Sequence, residues 1–185
     1  MPNDDQPKSE NEKVFEFAVE ELRIEIALFW QRSLFFWGFI AAAFIAYGVL
    51  MKEPDKDVAL AISCFGFVCS IAWTLMNRGS KYWQVAWEAK LNSAEKDVLG
   101  RAVYSDIEPN TDKGFWGAWR YSVTRLTIAL SDFTVLVWLA LSIKASPLGQ
   151  GTPWKTVPIV LIGVTVVYAL AILIGARSRV PPHLR

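Results

Sequence analysis

Apolar residues in this chain collect in four blocks, and the segments between them hold nearly all the charge. The first block, LFFWGFIAAAFIAYGVL, runs from Leu34 to Leu50. The second runs from Val58 to Met76, the third from about Arg125 to Ile143, and the fourth from Val157 to Ala176. A soluble core asks only for one apolar face on each element. A bilayer asks for an unbroken apolar stretch of roughly 20 residues. The pattern therefore predicts an all-α integral membrane protein with four transmembrane helices. The connections MKEPDKD at 51–57, where Pro54 stops a helix, and SPLGQGTPW at 146–154 join the spans into two hairpins.

Two stretches outside the blocks have helical periodicity instead of continuous apolarity. Phe15, Val19, Leu22, Ile26 and Phe29 are spaced 4, 3, 4, 3, and Glu16, Glu20, Glu21 and Glu25 occupy the other faces. This amphipathic helix, placed at 13–33, has two open readings: packing within its own subunit, or forming a seam against a neighbouring one. No breaker separates it from the first span, so a single rod through both is compatible with the sequence. The second stretch is Ser80 to Tyr104, with Trp83, Trp87, Leu91, Ala94 and Val98 on one face. Ser80 suits its N-cap, and Gly79 allows a kink after the second span. Trp83 reads either as a membrane-surface anchor or, with Trp87, as a docking point for the Phe15–Phe29 helix. Residues 105–118 read as a loop, and Phe115, Trp116 and Trp119 mark the return to the membrane. The expected organisation is a tail at 1–12, the helix at 13–33, a transmembrane hairpin at 34–76, a helix and loop at 77–121, a second hairpin at 122–176, and a tail at 177–185.

Charge adds orientation. Fifteen Lys and Arg residues lie on the side holding the N-terminus, the 77–125 segment and the C-terminus, against four in the two hairpins. Arg32, Arg78, Lys81, Arg120, Arg125, Arg177 and Arg179 flank the membrane on that richer side. The positive-inside rule places it, and both chain ends, in the cytoplasm. The two helices outside the blocks are then amphipathic cytoplasmic helices. The first 13 residues carry neither an apolar run nor a basic cluster, so the first block is expected to act as an uncleaved anchor. The net charge of +1, with no Lys/Arg run longer than a pair, gives no footprint for nucleic acid.

The sequence offers little chemistry. Cys64 and Cys69 lie within an apolar block at a spacing that fits neither zinc nor a redox pair. The single histidine, His183, sits in the tail VPPHLR. No nucleophile-elbow, HExxH or Walker pattern is present. The expectation is no catalytic residue, no cofactor and no metal site. Within the spans, Asp132 stands out. It shares a face of the third span with Arg125, about 10 Å away along the axis. A lone carboxylate at that depth costs about 2.5–3.5 kcal/mol on insertion scales, so it is expected to face protein or water. Three readings are open: a lock with Arg32 or Arg125, a conducting path, or a protonated hydrogen-bonded acid. Ser131, Thr124 and Thr127 add hydroxyls to the same half of the helix. Small residues at four-residue spacing mark helix packing: Gly38, Ala42 and Ala46 in the first span, Gly66 and Ser70 in the second, Ala171 and Gly175 in the fourth.

Two stretches carry a recognisable pattern. One is NRGSKYWQVAWEAKL from Asn77, with Asn77, Gly79, Ser80, Lys81, Trp83, Gln84, Trp87 and Glu88 its most specific residues. The other is YSVTRLTIALSDF at 121–133, with Tyr121, Ser122, Arg125 and Ser131. With the order of the spans, they resemble the RipA family of small octameric bacterial membrane proteins, over about Phe29 to Trp138. The chain departs from that pattern at Arg125, where a lysine is common, and at Asp132, where an apolar residue is common. The resemblance implies a homo-oligomer of eight subunits in a bacterial inner membrane. The leading functional expectation is a non-enzymatic scaffold or sensor that meets a cytoplasmic protein partner through its cytoplasmic helices. The alternative is an ion channel or a membrane-disrupting pore effector of anti-phage defence.

Overall fold

The computed structural model describes residues 9–100, 122–147 and 156–176. These form α1 (Glu10–Leu50), α2 (Asp57–Leu99), α3 (Val123–Ala145) and α4 (Thr156–Gly175), with no strand among the described residues. All four helices are long and apolar enough to cross a membrane. Tyr104, the 105–118 loop, Phe115, Trp116, Trp119 and His183 lie outside the described residues.

α1 begins with a capping box. The Glu12 amide donates to Ser9 Oγ at 3.3 Å, and the Ser9 amide donates back to Glu12 Oε2 at 2.7 Å. From there it runs 41 residues without a break, so the first amphipathic stretch and the first span are one rod. α2 is likewise continuous over 43 residues. This corrects the expected boundary at Gly79 and Ser80. Ser80 is a buried mid-helix residue, not a cap. A single glycine costs a helix interior about 1 kcal/mol, too little to break one whose packing continues on both sides. α2 ends at Leu99, earlier than predicted, because Gly100 adopts a left-handed φ of 63°. At about 1.5 Å per residue, α1 and α2 are each roughly twice as long as the hydrocarbon core is thick.

The chain divides into two units. One holds residues 1–31 and 79–122, the other 32–78 and 123–185. In the second unit α2 is the central helix. Of its most apolar 18-residue window 44% is buried, against 22% for α1 and α3 and 11% for α4. α1 turns Ser33, Ile40, Ala43 and Tyr47 inward at heptad-like spacing. The core collects around Trp138, which is fully buried, stacks on Phe44 at 4.4 Å and meets the edge of Tyr47 at 6.1 Å. The Tyr47 hydroxyl donates to the Leu141 carbonyl at 3.0 Å.

The indole of Trp138 lies directly over Gly66, where a Cβ would overlap the ring. Ser70, also buried, donates from Oγ to the Gly66 carbonyl at 2.8 Å. The second-span pair Gly66 and Ser70 thus packs inside the chain. The others do not. A Cβ added at Gly38 or Gly175 would meet no other part of the chain within 4 Å, Ala42 and Ala171 are exposed, and Ala46 is half-buried. α1 packs through another face, where Ala43 and Tyr47 join the core with Leu60, Cys64 and Trp138.

Candidate functional site

The most polar layer of the second unit is built by three helices. Asn77 lies on α2 just after the apolar run that ends at Met76, and is fully buried. Ser33 of α1 donates toward Asn77 Oδ1 at 3.5 Å. Asn77 Nδ2 donates to Ser131 Oγ of α3 at 3.3 Å. Ser131 in turn donates to the carbonyl of Ile128 at 2.8 Å. Ser33, Asn77 and Ser131 are all fully buried, so this chain of bonds is dry. An amide suits the position because it accepts from one neighbour and donates to the other. The contacts are long, so the node aligns the helices more than it binds them.

The next residue along α2 faces another way. A helix turns 100° per residue, so Arg78 leaves the dry node and meets Asp132, which follows Ser131 on α3. Arg78 Nη2 and Asp132 Oδ2 are 2.8 Å apart, with 55% and 41% of the side chains exposed. The partner of Asp132 is therefore Arg78, a correction to the expected Arg32 or Arg125. Arg78 and Asp132 each follow directly on a member of the Asn77–Ser131 contact, and each helix turns the two side chains out of the buried node on the same side. Arg32 is half-buried beside Ser33, and Arg125 is exposed two turns before Asp132. The remaining hydroxyls of α3 bond to their own helix: Thr127 donates to the Val123 carbonyl at 3.0 Å and Thr134 to Leu130 at 2.8 Å.

The first unit is a helix pair made by the first half of α1 and the second half of α2. Ala18 and Phe29 of α1 are buried in it, with Phe15, Val19 and Leu22 half-buried, whereas Ile26 is 44% exposed. The predicted seam therefore packs within the subunit, rotated so that Ala18 replaces Ile26 as a central residue. On α2, Leu91 is buried and Trp87 half-buried, and Trp87 meets Phe17 edge-on at 5.8 Å. Lys90 lies over the Trp87 ring at 4.3 Å. Trp83 is half-exposed and packs edge-on with Tyr82. Gln84 and Glu95 take buried positions that the apolar pattern assigned to no one.

A model of the octameric membrane protein family (8xMP) matches residues 12–147, close to three quarters of the chain. The chain belongs to this family. The octameric membrane protein family describes a homo-oligomeric membrane protein, in agreement with the four candidate spans. Its match covers both the polar layer and the helix pair, and stops before α4. No curated protein and no solved structure shows significant similarity to the chain.

Asp132 stands out in the sequence, whereas Asn77 and Arg78 do not show there as members of its layer. Asn77 was legible as part of a motif, and the usable signal was chemical: a carboxamide at the end of an apolar run, one residue before a cation.

Proposed function

We propose that this octamer-family protein is a non-enzymatic membrane scaffold or sensor that works through the helix pair of residues 10–31 and 79–99. It sits in a bacterial inner membrane with both ends in the cytoplasm, the orientation favoured by its basic flank. The carrying observation is the contrast between the two units. In the spans, the buried polar groups Ser33, Asn77 and Ser131 are spent on one another. In the helix pair, Phe17, Trp83 and Val85 stay exposed on a surface that also carries charge. Large exposed apolar patches rimmed by polar residues mark interaction surfaces. The test is photo-crosslinking from position 83 of the full chain in intact bacteria, with reciprocal capture from any protein identified. A specific cytoplasmic protein is the expected product. Capture of lipid alone leaves Trp83 as a membrane anchor and overturns the reading.

The second reading, an ion channel or a pore effector of anti-phage defence, rests on the Arg78–Asp132 pair. That pair is half-exposed at the flank of the spans, where a conducting axis would need charge. Ion and dye leakage from liposomes holding the purified oligomer separates the two readings.

A further inference from the structure

Not all of the exposed apolar surface of the helix pair has the same surroundings. Tyr82, Trp83 and Val85 follow closely on Met76, where the second apolar run ends, so their exposure alone does not distinguish a protein partner from lipid headgroups. Val14, Phe17 and Ile24 are placed differently. They precede Leu34, the first residue of the first apolar run, on one continuous helix. At about 1.5 Å per residue, Val14 and Phe17 lie roughly 25–30 Å along the axis from Leu34, about one hydrocarbon thickness away. Acyl chains do not reach that far. Yet Val14 is 51% exposed, Phe17 58% and Ile24 41%. Their spacing of 3 and 7 puts them on one stripe, apart from the Ala18, Leu22 and Phe29 positions that pack within the unit.

The stripe leads into a groove. Val14, Phe17 and Ala18 from α1 and Trp87 and Ala94 from α2 line a space of about 600 Å³. Its rim carries Glu10 and Asp97 against Lys13 and Lys90. Two charges of each sign suit a partner of balanced charge and disfavour a polyanion. In an assembly of identical subunits, each copy offers surface to its neighbours, and a closed ring needs two complementary faces on every copy. This chain belongs to a family of octamers.

We propose that a second copy of the chain covers the Val14–Phe17–Ile24 stripe and its groove, so that this face is a subunit contact of the octamer. The proposal rests on the reading that the helix pair carries the protein's contacts, and it assigns this one face of the pair to a second copy of the chain. Helix packing through an apolar stripe with a charged rim is an ordinary mode of such association.

The test uses the full chain, purified in detergent and in nanodiscs. Phe17→Glu combined with Ile24→Glu should reduce the octamer fraction at least about tenfold by native mass, since about 1.4 kcal/mol of lost contact energy already gives that factor. Helix content should stay unchanged. An intact octamer overturns the proposal. Should the double variant fail to fold, a second arm places a photo-crosslinking amino acid at position 17 of the full chain, which reacts with whatever surface covers it. Covalent dimers are expected. Absence of dimers from a preparation of octameric mass overturns the proposal, as does a product from position 17 in cells that contains another protein in place of a second copy. Because the scaffold reading is tested from Trp83, either idea can fail while the other stands.

Discussion

Gly66→Ala separates two effects of opposite sign. Alanine in place of glycine in a helix interior is favourable by about 0.8–1 kcal/mol, because less backbone entropy is lost. At Gly66 the new Cβ would strike the indole of Trp138. That ring has little freedom to retreat. It is fully buried, stacked on Phe44 with planes 24° apart, and met edge-on by Tyr47. Overpacking of this kind costs about 1–3 kcal/mol. Gly163 on α4 has nothing within 4 Å and supplies the reference. Since the propensity gain is common to both, the difference between Gly66→Ala and Gly163→Ala isolates the collision. The expected difference is about 1–3 kcal/mol, or roughly 5- to 150-fold in the unfolding constant. Reversible unfolding in mixed micelles, followed by far-ultraviolet circular dichroism at fixed protein concentration, measures it. In a Trp138→Leu background the penalty at Gly66 should largely vanish, because the colliding atoms are gone. Equal behaviour of the two alanine variants, or a penalty that persists without the indole, refutes the packing argument.

Other expectations follow from the polar layer and the open faces. Asn77→Leu removes the amide that joins Ser33 to Ser131, and unfolding in micelles should show a loss of about 1–2 kcal/mol, in the range of interhelical hydrogen bonds in membranes. Asp132→Asn breaks a half-exposed pair with Arg78, so stability should fall by no more than about 1 kcal/mol. If native mass and liposome ion flux are both unchanged in that variant, Asp132 neither locks the assembly nor lines a conducting path. Ala42→Leu fills the exposed small-residue face of α1 and should lower the octamer fraction by native mass; a normal octamer removes that face as a contact.

The spans were legible because a bilayer imposes one requirement on every residue of a crossing segment, and local composition answers it. α3 extends two residues beyond its predicted block at each end, and α4 is displaced from its own by one residue. What could not be read was rotation. Heptad spacing locates a stripe to within about one residue in seven, and Ala18, small and only weakly apolar, was invisible beside Ile26. Which small-residue pattern packs within the chain was hidden for a related reason. Gly38 and Gly66 look alike in sequence, but only Gly66 faces a side chain large enough to need the space, and that residue, Trp138, is 72 positions away. The partner of Asp132 was missed because the pairing depends on the register of α2 against α3. Sequence reading could weigh candidates by depth, and Arg78 was read only as a flanking charge.

Composition also divides the faces that remain open in the spans. α4 is the helix least covered by its own chain, and its exposed residues include Val157, Val160, Val164, Val167 and Ile174. Branched aliphatic side chains all round are what lipid contact tolerates, since a tail offers them dispersion without shape. α1 differs. Its open side combines Gly38 and Ala42 with the larger Phe35 and Ile45, a surface with relief. Relief gains nothing against mobile acyl chains and a good deal against another helix, whose backbone can approach closely where side chains are short. The Val14–Phe17–Ile24 stripe belongs to the same helix and sits where acyl chains do not reach. α1 is thus the element whose exposed positions call for protein along both halves, and α4 the one whose exposed positions do not. That asymmetry makes the long first helix, and not the ion pair of α3, the place to look first for what holds copies of the chain together.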